Sequence, residues 1–65
     1  TKGNGIQHLA FEVDDIDKMV DYIKSKGIEF IEKEPQMGAR KRKIIFIKPE
    51  YTGGILIELC QCIKN

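Results

Sequence analysis

Cysteine and net charge are scarce in this chain, and long apolar runs are missing altogether. The 65 residues include only two cysteines, Cys60 and Cys62. As successive residues on one face of a strand they would stand about 6–7 Å apart, whereas a relaxed disulfide brings Cβ atoms to about 3.8 Å. They are therefore no disulfide framework, and reduced thiols in a cytoplasmic protein are the expectation. Eleven basic residues against ten acidic leave a net charge of +1. That balance argues against nucleic-acid binding, with Arg40-Lys41-Arg42-Lys43 as the one local exception. No apolar run approaches the roughly 20 residues of a membrane span, and no signal-peptide pattern is visible, so no membrane role is expected.

Length is also short. A chain of this size buries only about 60% of the surface its unfolded form exposes. Below roughly 70–80 residues a single core usually needs a staple, a metal or a partner chain.

What is present divides into short elements. Thr1 to Gly5 is a polar, glycine-rich lead-in. Ile6 to Val13 alternates as a strand does, with Gln7, Leu9, Phe11 and Val13 on one face and Ile6, His8, Ala10 and Glu12 on the other. Asp14 and Asp15 stop the strand and offer an N-cap, and Asp17 adds negative charge to the first turn. Ile16, Met19, Val20 and Ile23 then recur at helical spacing as a core-facing stripe, and Gly27 ends the helix. Ile28 to Ile31 reads as a second strand, Glu32 to Lys43 as a loop or wide hairpin, Lys43 to Ile47 as a third strand, Pro49 to Gly54 as a turn, and Ile55 to Cys62 as a fourth strand. The order is β-α-β-β-β, an α+β module.

Glu58 is the misfit. It shares a strand face with Leu56, Cys60 and Cys62, where an ionised carboxylate is costly unless something pairs with it or binds it. Leu9, Phe11 and Val13, with Ile55, Ile57 and Leu59, are expected to meet the helix. The opposite face carries His8 and Glu58 among Ile6, Ala10, Leu56, Cys60 and Cys62, and no second helix to cover it. That face is too apolar to stand in water, so residues 1–65 read as half of a larger structure.

Three stretches carry a resemblance: Gly3 to Ile16, with His8 in a strand after glycine; Glu34-Pro35 to Gly38-Ala39-Arg40; and Phe46 to Leu59, with Thr52-Gly53-Gly54 leading to Glu58-Leu59. Together they resemble the C-terminal half of the methylmalonyl-CoA epimerases, in the vicinal oxygen chelate superfamily to which glyoxalase I (lactoylglutathione lyase) also belongs. The resemblance implies a βαβββ module, half of a glyoxalase/bleomycin-resistance/dioxygenase-type fold, which pairs with a second module in cis or as a homodimer. It implies His8 and Glu58 as ligands of a divalent metal ion (cobalt, manganese, nickel or zinc), and Glu58 as a catalytic acid/base group. The implied reaction is α-proton abstraction from methylmalonyl-CoA through a metal-stabilised enediolate, with the remaining ligands and a second carboxylate supplied by the other module. Gln7 stands where relatives often have a second histidine, and Lys48 where many have histidine before proline.

The residues themselves leave alternatives open. His8 by itself could be a strand histidine satisfied by the backbone, and Glu58 a solvated carboxylate; their placement on one face is what favours a metal. Cys60 and Cys62 read as small core residues rather than ligands. The Arg40 to Lys43 run could attract the phosphates of coenzyme A or could be a solvated turn. A glutathione-derived substrate is the alternative to a coenzyme A thioester, as in lactoylglutathione lyase. A dimeric, non-catalytic metal- or ligand-binding half-module is the alternative from another class.

Overall fold

The computed structural model describes residues 8–63. Strand β1 is His8–Glu12, helix α1 Ile16–Ser25, and strands β2, β3 and β4 are Gln36–Met37, Arg42–Ile47 and Leu56–Cys62. They form one four-stranded sheet in the order β1-β4-β3-β2. β1 runs parallel to β4, while β3 is antiparallel to both β4 and β2. The expected βαβββ order and α+β class hold.

Helix α1 forms for the reasons its sequence suggests. The Asp15 side chain accepts a hydrogen bond from the Lys18 N–H at 3.1 Å, capping the first turn. The Ile16 N–H, another orphan donor of that turn, is taken by Gln61 Oε1 at 2.9 Å, which ties the helix start to β4. At the other end Gly27 takes φ 87°, a left-handed conformation glycine adopts without strain.

The core lies between α1 and one sheet face. Ile16 and Val20 from the helix pack with Phe30, Ile45, Ile47 and Leu59, with Val13, Ile23, Ile28 and Ile57 at the margin. Ile16 and Ile45 are fully buried. Two expectations about this layer need correction. Leu9 and Phe11 occupy the helix side of β1, opposite Ile57 and Leu59, but are 46% and 50% exposed. The reason is strand order: β1 is the sheet edge, and α1 packs over β4 rather than over β1. Met19, placed on the core stripe by its spacing, is likewise on the outer margin and exposed.

The second strand also differs. Ile28 to Ile31 contributes only an isolated bridge, Phe30 to Ile47, flanked by hydrogen bonds from Ile31 N–H to the Phe46 carbonyl and from Lys48 N–H to the Glu29 carbonyl. The Glu32 carboxylate then takes the Phe46 N–H at 2.9 Å, replacing the backbone acceptor that a continuous strand would provide. Pairing resumes at Gln36–Met37, inside the stretch expected to be a loop.

Two connections place the open face. Between β2 and β3, Gly38 N–H donates to the Arg42 carbonyl while Arg42 N–H donates to the Ala39 carbonyl, so two residues oppose one, as in a β-bulge. Between β3 and β4, Gly53 and Gly54 take φ 71° and 94°, and the Thr52 hydroxyl lies against the carbonyls of Pro49 and Ile55. Among the described residues no helix is long and apolar enough to cross a membrane. The first predicted strand residues, Ile6 and Gln7, lie outside the described residues.

Candidate functional site

Side-chain alternation puts His8, Phe46, Leu56 and Glu58 on the face that α1 leaves open. His8 lies opposite Leu56 in the parallel β1–β4 pair, and Glu58 lies opposite Ala10 there and opposite Phe46 across β3. The two functional candidates are thus diagonal neighbours on adjacent strands. His8 Nε2 and Glu58 Oε1 lie 2.9 Å apart. The His8 ring is tilted against the Phe46 ring at 5.9 Å between centroids. The Glu58 side chain is only 16% exposed, against 49% for His8. Glu58 belongs to an interior strand and is largely covered, against its reading as a solvated carboxylate.

A nitrogen and an oxygen lone pair converging at this separation fit adjacent positions on one divalent cation, whose bonds to imidazole and carboxylate run about 2.0–2.2 Å. They would supply two positions of such a cation's ligand set. Among the described residues no group of three or more His, Cys, Asp or Glu side chains converges to complete a set. Glu12, on the same alternation, stands at the exposed end of β1.

Beyond Glu58 the open face becomes apolar and then basic. Cys60 is buried and Cys62 half-buried, and both are free thiols. Arg42 Nη1 lies 4.0 Å from Cys60 Sγ. Lys43 points to the other side and pairs with Asp17 of α1 at 2.8 Å, so the basic run splits between the two faces. Lys48 pairs with Glu29 at 2.8 Å. That hydrogen bond, with the lysine charge behind it, holds the Glu29 carboxyl below the usual range and raises Lys48, against a small opposing effect of burial. Lys48, one residue past β3, thus forms a clip to the segment that carries Phe30. Sequence reading missed the helper groups: Glu32 on the Phe46 N–H and Gln61 on the Ile16 N–H. Both are long polar side chains acting at a distance in sequence, with no local motif to mark them.

The sequence profile of the Glyoxalase/Bleomycin resistance protein/Dioxygenase superfamily matches residues 1–46. The chain belongs to that superfamily. Within it, the chain is 38% identical over 60 residues to the mitochondrial methylmalonyl-CoA epimerase of Homo sapiens, covering 92% of this chain and 34% of that one. The methylmalonyl-CoA epimerase of Mycobacterium tuberculosis superposes with a TM-score of 0.86 at 36% identity, over 97% of this chain and 42% of that one. A methylmalonyl-CoA epimerase in complex with methylmalonyl-CoA and ammonium gives 0.81 at 33% identity, over 94% of this chain and 42% of that one. The chain thus spans less than half the length of these relatives.

Proposed function

We propose that this chain is the metal-binding C-terminal module of a methylmalonyl-CoA epimerase. The observation that carries the reading is the contact between His8 Nε2 and Glu58 Oε1 on a sheet face without a helix, in a chain whose similar structures include an epimerase bound to methylmalonyl-CoA. His8, neutral, and Glu58, ionised, would hold a divalent metal ion, its identity among cobalt, manganese, nickel and zinc left to measurement. Such an ion supplies positive charge to the substrate oxygens as the α-proton departs.

The chain's own residues do the rest of its share. Glu58, largely withdrawn from water on an interior strand, is fixed in place to accept the α-proton of the acyl thioester. Phe46 and Leu56 beside it restrict water at the reacting carbon. Inversion needs a second acid/base group on the opposite face of the substrate, and this falls to a second βαβββ module, in cis or from a homodimer partner. The free thiols of Cys60 and Cys62 suit a reducing, cytoplasmic setting.

The test is deuterium exchange at the α-carbon of methylmalonyl-CoA by the complete natural protein, with chelator and with each metal restored. Metal-restored exchange is expected, and its absence with every metal overturns the reading. Running the hemithioacetal of glutathione and methylglyoxal in parallel separates the epimerase from a lactoylglutathione lyase, the alternative within the superfamily.

A further inference from the structure

His8 and Phe46 meet although a strand lies between them. His8 stands on β1 and Phe46 on β3, with β4 in the middle, so their backbones are at least about 9–10 Å apart. Side chains standing straight up from the sheet would keep that spacing. Instead the ring centroids lie 5.9 Å apart, with the planes at 44°, within the contact range of aromatic pairs. The two rings therefore lean toward each other across β4, on the face that carries Leu56 and Glu58, the residues opposite His8 and Phe46.

The Phe46 end of this contact is the fixed one. Its chain neighbours Ile45 and Ile47 are buried on the helix side, which sets the direction of the Phe46 side chain. Its carbonyl accepts the Ile31 N–H at 2.8 Å, and its own N–H donates to Glu32 Oε1 at 2.9 Å. A regular antiparallel ladder would offer that N–H a backbone carbonyl. Here the pairing has broken, and a half-buried carboxylate stands in for it. The His8 end is looser, on the sheet edge with its side chain 49% exposed. Its hydrogen bond to Glu58 fixes a line and not a plane, so the ring keeps a rotation about the Nε2–Oε1 axis. An imidazole offers its lone pair only in the ring plane, and that rotation decides where Nε2 aims. Packing against the Phe46 ring restrains it.

We propose that Phe46 is a positioning residue for His8, secured by Glu32. The Glu32 carboxylate holds the Phe46 backbone, and the Phe46 ring holds the imidazole in the plane that aims Nε2 at a cation shared with Glu58. This rests on the metal-binding reading above. Neither side chain is a ligand: Glu32 acts on Phe46, and Phe46 acts through His8.

The test measures cobalt(II) binding to the metal-stripped complete natural protein by equilibrium dialysis, well below the melting temperature, together with the visible absorption of the bound ion. Manganese, nickel or zinc replaces cobalt in the dialysis where the parent takes up only that metal. Phe46→Leu keeps apolar bulk without a flat ring, and Glu32→Ala frees the Phe46 N–H. Each is expected to weaken binding about tenfold, as for the loss of a group that orients a ligand, and to shift the cobalt band. Phe46→Tyr and Glu32→Gln, which keep the ring and the acceptor oxygen, are expected to bind as the parent does. Ile45→Ala, a cavity on the other face of the sheet, is expected to melt lower and yet bind cobalt as tightly as the parent. Parent-like binding by Phe46→Leu overturns the proposal, and Glu32→Ala decides in its place if that variant does not fold. An equal loss of affinity in Ile45→Ala also overturns it, because the effect would then be one of stability. Both results leave the epimerase reading standing. If the parent takes up none of cobalt, manganese, nickel and zinc, the metal-binding reading fails and this proposal fails with it.

Discussion

His8 Nε2 meets Glu58 Oε1 at 2.9 Å although the two residues are not register partners: His8 stands opposite Leu56, and Glu58 opposite Ala10. The contact depends on the parallel pairing of β1 with β4, which brings two segments fifty positions apart in sequence into diagonal contact. It is largely open on the histidine side and closed on the glutamate side. A single side-chain hydrogen bond contributes modestly to folding, about 0.5–1.5 kcal/mol. Its geometry is better explained by what it can bind than by what it stabilises.

Substitution at these positions should therefore separate function from folding. Glu58→Gln preserves shape and a hydrogen bond to His8 but removes the carboxylate. The expected outcome is a fall in α-proton exchange of at least about 10²-fold, as for loss of a general base. His8→Ala should leave the thermal midpoint nearly unchanged while metal content measured after dialysis falls. A large loss of stability in either variant would show that the pair serves the fold and not the site.

The Gln61 carboxamide gives a second measurable effect. It is half-buried and supplies the acceptor for the Ile16 N–H at the first turn of α1. Gln61→Leu leaves that donor without a partner near the core, at a cost of about 1–3 kcal/mol. Asp15→Ala removes the neighbouring cap for about 1 kcal/mol. Urea unfolding should rank Gln61→Leu as the more damaging, and the reverse order would mean that water reaches the Ile16 N–H. Ile45→Ala, at a fully buried site, should exceed both, at about 2–5 kcal/mol.

Helix α1 was legible because three signals coincide there: the Asp15 cap, the Ile16, Val20 and Ile23 spacing, and Gly27. The shared face of His8 and Glu58 was legible for a simpler reason, since strand alternation assigns faces whatever the strand order. Strand order itself leaves no local trace. Period-two spacing put Leu9 and Phe11 on the helix side correctly, but could not reveal that β1 is the edge and that α1 passes over β4. The broken second strand was hidden for a related reason. Ile28 to Ile31 has every strand-forming residue it needs, yet Glu32 takes the Phe46 N–H and ends the pairing, while Gln36 and Met37 pair despite unremarkable propensity. The left-handed Arg40 and Lys41 run against their residue types altogether, and only the backbone reveals them.

The Glu29–Lys48 clip carries a pH signature. Because Glu29 titrates below the usual carboxylate range, its contribution to folding is present above that range and is lost as pH falls through the lowered value. Lys48 is raised, so its contribution is present below the usual lysine range and is lost as pH rises through the raised value. Between the two the clip is constant. Lys48→Ala should let Glu29 return upward, visible as a shift of its side-chain carboxyl titration by NMR. Lys48→His should move the alkaline loss of the clip down toward the imidazole range. An unmoved Glu29 titration in Lys48→Ala would mean that the contact does not persist in solution.

The exposed side of β1 is where the larger assembly can be tested. Leu9 and Phe11 lie on the core side of the sheet yet remain about half exposed within this chain, at 46% and 50%, and among the described residues β1 pairs with a neighbour on one edge only. An apolar strip beside an open strand edge invites pairing with another sheet. If a second βαβββ module covers it in the complete protein, Leu9→Thr and Phe11→Thr should each cost about 1–3 kcal/mol there, as for an apolar side chain withdrawn from water. In the isolated 65-residue chain the same changes should cost far less and should reduce self-association, read by sedimentation. Equal, small losses in both settings would place the second module elsewhere.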